Sequence, residues 1–214
     1  MDPLSYLFHL ITNLYDLNGL ILAYGPWVYL VLFLFIFGET GFVLFPFLPG
    51  DSILFIAGTF AAAGSLDVSL LVVVLAIAAV AGDSVNYSIG RYIGPRAFHE
   101  NVRFLKKEYL DRAHVFFERH GGKAIVLARF APIIRTFVPF VAGIGSMRYR
   151  RFLMYNVVGG IGWVALFVLT GYFFGNIAFV KENFTLVIYA IVAISLLPAV
   201  LGFIQGLRKR PTDR

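Results

Sequence analysis

Phe45-Pro46-Phe47-Leu48-Pro49-Gly50-Asp51-Ser52, with Glu39 a few residues upstream, decides how this chain folds. The stretch lies inside a long apolar region, where two prolines, a glycine and two carboxylates do not suit ordinary helix. A second interruption stands in the other half: Arg129-Phe130-Ala131-Pro132-Ile133-Ile134-Arg135-Thr136-Phe137-Val138-Pro139. One break carries acids and the other carries arginines. The two broken segments are expected to meet at mid-membrane and form one site.

Around the breaks the chain is apolar throughout. Of 214 residues 59% are hydrophobic and only 14% charged, and the mean hydropathy is +0.82. A soluble domain carries about 25% charged residues, so the composition is that of an integral membrane protein. Apolar runs of about 20 residues recur, which suits helices better than the short alternating strands of a barrel. The fold class expected is all-α, with one membrane domain over residues 20–207. No cysteine is present, which excludes disulfides, thiolate metal sites and cysteine nucleophiles.

The net charge of +6 is spread unevenly. No Lys or Arg precedes Arg91, and the basic residues crowd into Arg91–Lys123, Arg148–Arg151 and Arg208–Arg214. In a soluble protein such runs suggest nucleic acid. In a membrane protein they mark cytoplasmic loops, and that reading is preferred. The N-terminus lacks a basic n-region and does not read as a cleaved signal peptide.

In chain order, residues 1–19 form an interfacial helix interrupted by His9, Asn13, Asp16 and Asn18. Residues 27–64 read as a re-entrant hairpin, because the run Ser52–Gly64 is too short for a core of roughly 30 Å. Asp67 is expected to cap the next helix, and residues 68–92 are long enough to span. Residues 94–122 form a basic, amphipathic cytoplasmic connector holding His99, His114 and His120 without an acid at metal-site spacing. Residues 123–147, flanked by basic clusters at both ends, form a second hairpin entering from the opposite side. Spans at 152–175 and 184–206 follow, joined by a turn at Lys181-Glu182-Asn183, with a basic tail at 208–214. Gly159, Gly160, Gly162, Gly171 and Gly175 permit close helix contact.

The charge bias places the C-terminus in the cytoplasm and the N-terminus outside. The resulting pattern is hairpin plus span, repeated with inverted orientation. Broken helices at corresponding positions of two halves point to a transport site.

A charged side chain at the bilayer centre costs about 2.5–3.5 kcal/mol, so Glu39, Asp51, Arg129 and Arg135 together would cost roughly 10–14 kcal/mol if unpaired. They should neutralise one another or face water. Asp51 is also well placed as a helix cap. Arginine suits bidentate recognition of phosphate or carboxylate, and a half-helix beginning near Asp51 would aim its positive end at the same place. Arg129 and Arg135 therefore read as an anion seat. An arriving anion would displace Glu39 and Asp51, which would then take up protons. A third cluster, Gly82-Asp83-Ser84-Val85-Asn86-Tyr87-Ser88-Ile89-Gly90-Arg91, places Asp83 and Tyr87 on one helix face. Asp83 there is either paired with a nearby cation or set beneath the anion seat.

These residues resemble the DedA family of membrane proteins, whose shared unit is also called the VTT or SNARE-associated domain. The resemblance rests on Glu39-Thr40-Gly41, Pro46 through Ser52, Gly82-Asp83 with Tyr87 and Gly90-Arg91, Gly121-Gly122-Lys123, and Arg129 through Gly143, within roughly residues 25–175. It implies two opposed re-entrant hairpins and lipid transport. In bacteria the family is linked to returning undecaprenyl phosphate from the outer to the inner leaflet, and to phospholipid movement; eukaryotic relatives behave as scramblases. The family's essential charges fall on Glu39, Asp51, Arg129 and Arg135. Pro46, Pro49, Gly50, Asp83, Tyr87, Arg91, Pro132, Thr136, Pro139 and Gly143 would support them or break the helices.

The expected partners are membrane lipids, either polyprenyl phosphate or phospholipid, with protons or another coupling ion. No nucleic acid, metal or cofactor is expected, and a homo-oligomer is left open. A proton-driven cation exchanger is the alternative. A lipid phosphatase needs a nucleophile beside a general acid or base, yet every histidine lies outside the expected hairpins, so an enzyme is not favoured.

Overall fold

A computed structural model describes residues 25–42, 50–99, 121–130, 132–145, 147–184 and 186–191. Its main elements are α1 (Pro26–Gly41), α2 (Gly50–Ala62), α3 (Val68–His99), α4 (Lys123–Ala128), α5 (Pro132–Ile144), α6 (Tyr149–Gly175) and α7 (Ala178–Glu182). Among the described residues there is no strand. Val68–Ile93 of α3 and all of α6 are long and apolar enough to cross a membrane. The helix α1, with 16 residues, reaches about 24 Å at 1.5 Å per residue. The 13 residues of α2 and of α5 reach about 20 Å each.

Local chemistry sets the ends of these helices. Gly25 at φ 46° precedes Pro26, which opens α1 where its missing N–H costs nothing. Gly64 takes φ 83° and closes α2, with Ser65 N donating to Phe60 O at 3.1 Å. Asp67 stands exposed directly before Val68, at the cap position expected of it. Pro132 opens α5.

The helices divide into two compact units. One contains α1, α3 from Ser69, α4, α5 and α6 up to Leu166. Here α3 and α5 run parallel, with Asn86 against Thr136 and Gly90 against Phe140. By contrast α3 and α6 run antiparallel, with Val80 beside Gly160, Ser84 beside Asn156 and Tyr87 beside Phe152. Both α1 and α4 pack on α5. Tyr87, Ile125, Ala142, Met147 and Phe152 form an apolar core at one end of this unit.

The other unit contains α2, α6 from Phe167, and α7. Its helices α2 and α6 meet through backbone: a Cβ on Gly58 would lie 2.9 Å from Tyr172 N, and one on Gly171 would lie 3.0 Å from Phe55 Cα. Gly175 sits equally close to Thr59. Phe55 and Phe174, and Phe60 and Phe184, add ring contacts at 5.3 and 5.1 Å.

Several expectations change. Gly162 meets nothing within 4 Å and makes no helix contact. Pro139 does not break α5, which continues through it to Ile144. The expected turn at Lys181–Asn183 is largely the short helix α7, because one turn of helix buries Val180 while Lys181 and Glu182 stay exposed. The helix α3 runs on to His99, into the expected connector. The N-terminal helix with His9, the prolines Pro46 and Pro49, His114, His120, the last span beyond 191 and the basic tail lie outside the described residues.

Candidate functional site

Two ion pairs are buried in the unit that holds α1, α3, α4 and α5. Arg135 of α5 pairs with Glu39 in the last turn of α1, and the two side chains are 8% and 1% exposed. Arg129, capping the C-terminus of α4, pairs with Asp83 of α3 at 5% and 6% exposure. Breaking a buried pair by removing one partner costs about 3–5 kcal/mol, because the survivor stays charged and buried.

Arg129 is the more enclosed of the two arginines. It donates to Asp83 Oδ2 and to Asn156 Oδ1. Asn156 in turn donates from Nδ2 to Val80 O at 3.0 Å and to Ser84 Oγ at 3.4 Å. Gly159 and Gly160 make the berth: a Cβ on Gly159 would stand 3.2 Å from Arg129 Nε, and one on Gly160 would stand 3.4 Å from its terminal nitrogen. These two glycines therefore admit an arginine side chain as well as bringing helices together.

Arg135 is held differently. Its guanidinium carbon lies 4.8 Å from the centre of the Trp163 ring, a cation–π contact. The pairing with Glu39 is steadied from the side by Asn86, whose Nδ2 donates to Thr40 O at 3.2 Å and Thr136 O at 2.8 Å. Those carbonyls belong to the residues directly after Glu39 and Arg135, so one amide ties both partners' backbones to α3. Pro139 lacks the N–H that would serve the Arg135 carbonyl, and Asn86 reaches the chain one residue on.

Thr40, Asp83, Arg129, Arg135, Thr136 and Trp163 line a hollow of about 10 Å³ between the pairs. That is near the lower limit for a single water molecule. Among the described residues, the buried Nε of Arg129 and Oδ1 of Asn86 make no hydrogen bond.

The structure thus brings together Glu39, Asp83, Arg129, Arg135 and Thr136 from the expected set. Arg129 takes Asp83 as its carboxylate, not an acid of the first break, because its side chain threads past Gly159 and Gly160 toward α3. Asp51 is half-buried in the first turn of α2 and belongs to the other unit; Gly50 is buried at the start of that helix. Gly143 packs on α3 beside Tyr87 and Arg91, Tyr87 is buried with its hydroxyl on Met147 O, and Arg91 is exposed. Thr40, Asn86, Asn156 and Trp163 were not among the expected site residues. Asn156 had a visible signal, as an amide inside an otherwise apolar span.

A family model described as the VTT domain matches residues 45–173. The chain is 49% identical over 212 residues to Protein DedA of Escherichia coli strain K12, covering 97% of each. It is 46% identical over 213 residues to an uncharacterized membrane protein of Mycobacterium tuberculosis strain H37Rv, covering 98% of this chain and 88% of that one. Over 150 residues it is 35% identical to the inner membrane protein YqjA of Escherichia coli strain K12, covering 70% and 68%. No solved structure matches the chain.

Proposed function

Because the chain belongs to the DedA family of VTT-domain membrane proteins, we propose that it is an inner-membrane lipid transporter that moves a phosphate head group across the bilayer. The cargo we assign is undecaprenyl phosphate, returned from the outer to the inner leaflet. The observation that carries this reading is the pair of buried arginines, each matched to a carboxylate around one hollow.

The charges in that arrangement sum to zero, and the hollow of about 10 Å³ is far too small for a phosphate. The state described is therefore closed, and cargo must exchange for the carboxylates. A phosphate monoester brings about −1.5 to −2 charges at neutral pH. Arg129 and Arg135 would turn from Asp83 and Glu39 to the phosphate oxygens, in the bidentate geometry guanidinium favours. Protons taken up by Glu39 and Asp83 would restore neutrality, and this charge balance is the reason to expect proton coupling. Asp83 thereby joins Glu39 as a carboxylate that exchanges with the cargo. Asp51 is kept as a coupling acid on the family resemblance.

The short reaches of α1, α2 and α5 support two re-entrant hairpins rather than three further crossings. The exposed Arg148, Arg150 and Arg151 at the start of α6 support a cytoplasmic location for that end. The hairpins and spans would then repeat with inverted orientation, with the C-terminus inside and the N-terminus outside.

The test is reconstitution in liposomes carrying undecaprenyl phosphate or a labelled anionic phospholipid, with leaflet accessibility followed with and without a pH gradient. Arg129→Gln and Arg135→Gln should each slow phosphate-lipid movement at least tenfold, and the gradient should drive net movement. Equal rates in the variants, or cation flux without lipid movement, would overturn the assignment.

A further inference from the structure

Away from the ion pairs, the basic end of α3 opens into a cleft of about 550 Å³ lined by Tyr87, Ser88, Arg91, Tyr92 and Tyr149. That volume lies within the usual range of small-ligand sites, about 300–1,000 Å³. The lining is one guanidinium, three phenol rings and a hydroxyl, and among the described residues no carboxylate shares it. We propose that this cleft is a second anion site, which holds the phosphate head group of a lipid at the membrane interface.

Geometry links the cleft to the buried pairs. Asp83, Tyr87 and Arg91 follow one another at four-residue spacing, so they share a face of α3 and each lies about 6 Å along the axis from the next. Tyr87 is 1% exposed and separates the two places. Its ring stacks on Phe152 at 4.5 Å, its hydroxyl bonds Met147 O, and Arg91 donates to that hydroxyl at 3.5 Å. On the partner helix, Gly143 fits against α3 so closely that a Cβ would lie 2.8 Å from Arg91 N. Because α5 runs parallel to α3, it too leads from the hollow, at Arg135, to the backbone of Tyr87 and Arg91, at Gly143. An anion leaving Arg129 and Arg135 would meet Arg91 about 12 Å along the α3 axis from Asp83.

A lipid is preferred to free phosphate on the cleft's surroundings. Tyr92 is 66% exposed beside Ile93 at 40%, and Tyr149 is 41% exposed between the exposed Arg148 and Arg150. Tyrosine with arginine is the composition of an interface that is apolar on one side and wet on the other. The proposal rests on the transport reading only for the cleft's place on the path. Binding in the cleft stands or falls by itself.

Purified full-length protein in zwitterionic detergent would be titrated with dioctanoyl phosphatidic acid, dioctanoyl phosphatidylcholine and inorganic phosphate, by calorimetry or native mass spectrometry. Phosphatidic acid should bind at least tenfold more tightly than either control. Arg91→Gln should remove most of that preference and Arg91→Lys should restore part of it. Both substitutions are on the surface, and unchanged melting temperatures would show intact folding. In an Arg135→Gln background the effect of Arg91→Gln should persist, which separates the cleft from the buried seat. Equal binding by the wild type and Arg91→Gln would overturn the proposal. So would inorganic phosphate competing as well as the lipid, which would make the cleft a free-anion site. If binding behaves as expected while liposomes show no lipid movement, the transport reading fails and the cleft remains.

Discussion

The unit built from α2 and the end of α6 and the unit built around α3 hold their helices together by different means. In the first, Gly58, Gly171 and Gly175 let backbones touch, and phenylalanines pack beside the contact. In the second, the helices are tied by charge and amide: Arg129 with Asp83 and Asn156, Arg135 with Glu39, and Asn86 between Thr40 and Thr136. Close apolar packing resists rearrangement, because every contact is lost at once when the surfaces part. A buried arginine can exchange its carboxylate for an arriving anion, provided that the displaced carboxylate takes up a proton and is not left charged and buried. The second arrangement is therefore the one suited to accept and release an anion, and the first is suited to keep its shape.

The largest effect should come from splitting an ion pair. Asp83→Leu leaves Arg129 charged and buried, and should destabilise by about 3–5 kcal/mol, read as a fall in melting temperature in detergent. Removing both charges in Asp83→Leu with Arg129→Leu should recover at least half of that loss, since a buried pair replaced by apolar residues is often neutral or better. Lipid movement should stay abolished in the double variant. Recovery of stability without recovery of transport would show that the charges are kept for exchange. Recovery of both would remove Arg129 from the proposed seat.

Much of this division could be read from the residues, and what escaped did so for a physical reason. The helices α3, as far as Ile93, and α6 show themselves as long apolar runs without a proline, and Pro132 marks the start of α5 because its missing N–H is harmless there. Pro139 misled, because a helix packed on neighbours can carry a proline when other groups serve the freed carbonyls. The need to neutralise Glu39, Arg129 and Arg135 was legible from insertion cost alone, whereas Asp51, counted with them, is half-buried and Asp83 is the fourth buried charge among the described residues. Which acid meets which arginine was not: Asp83 and Arg129 are 46 positions apart, and their meeting depends on the rotation of α3 and on two glycines of α6. Asn156 was passed over because a single amide does little to the hydropathy of a long span. Asn86 stood in a quoted cluster, but only the packing shows that it joins α1 to α5.

A smaller effect should follow from filling a contact in the glycine-packed unit. Gly58→Ala places a methyl group against the backbone of α6 at Val168 and Tyr172, and neither neighbour is a flexible side-chain end. Overpacking of this kind costs about 1–3 kcal/mol, seen as a lowered melting temperature. The phosphate-lipid selectivity of the surviving folded protein should be unchanged, because no residue of the charged network is touched. A change in selectivity at unchanged stability would mean that this contact is itself part of the moving machinery, and the contrast between rigid and exchangeable units would be lost.

Gly162→Ala should give the smallest effect, and it has the opposite sign. Gly162 lies on α6 within three residues of Gly159 and Gly160, yet it is exposed and a Cβ there meets nothing within 4 Å. Alanine in the middle of a helix is favoured over glycine by roughly 0.5–1 kcal/mol, so the variant should melt slightly higher. Gly159→Ala, three residues away, brings a methyl group to 3.1 Å from Arg129 Cδ and 3.2 Å from its Nε, so the arginine side chain has to give, and it should melt lower while slowing lipid movement. The pair of substitutions adds the same methyl group to the same helix, so helix propensity cancels between them. What is left is the berth of Arg129. If the two variants behaved alike, in stability and in transport, the glycines of α6 would serve the helix alone and the placement of Arg129 would not depend on them.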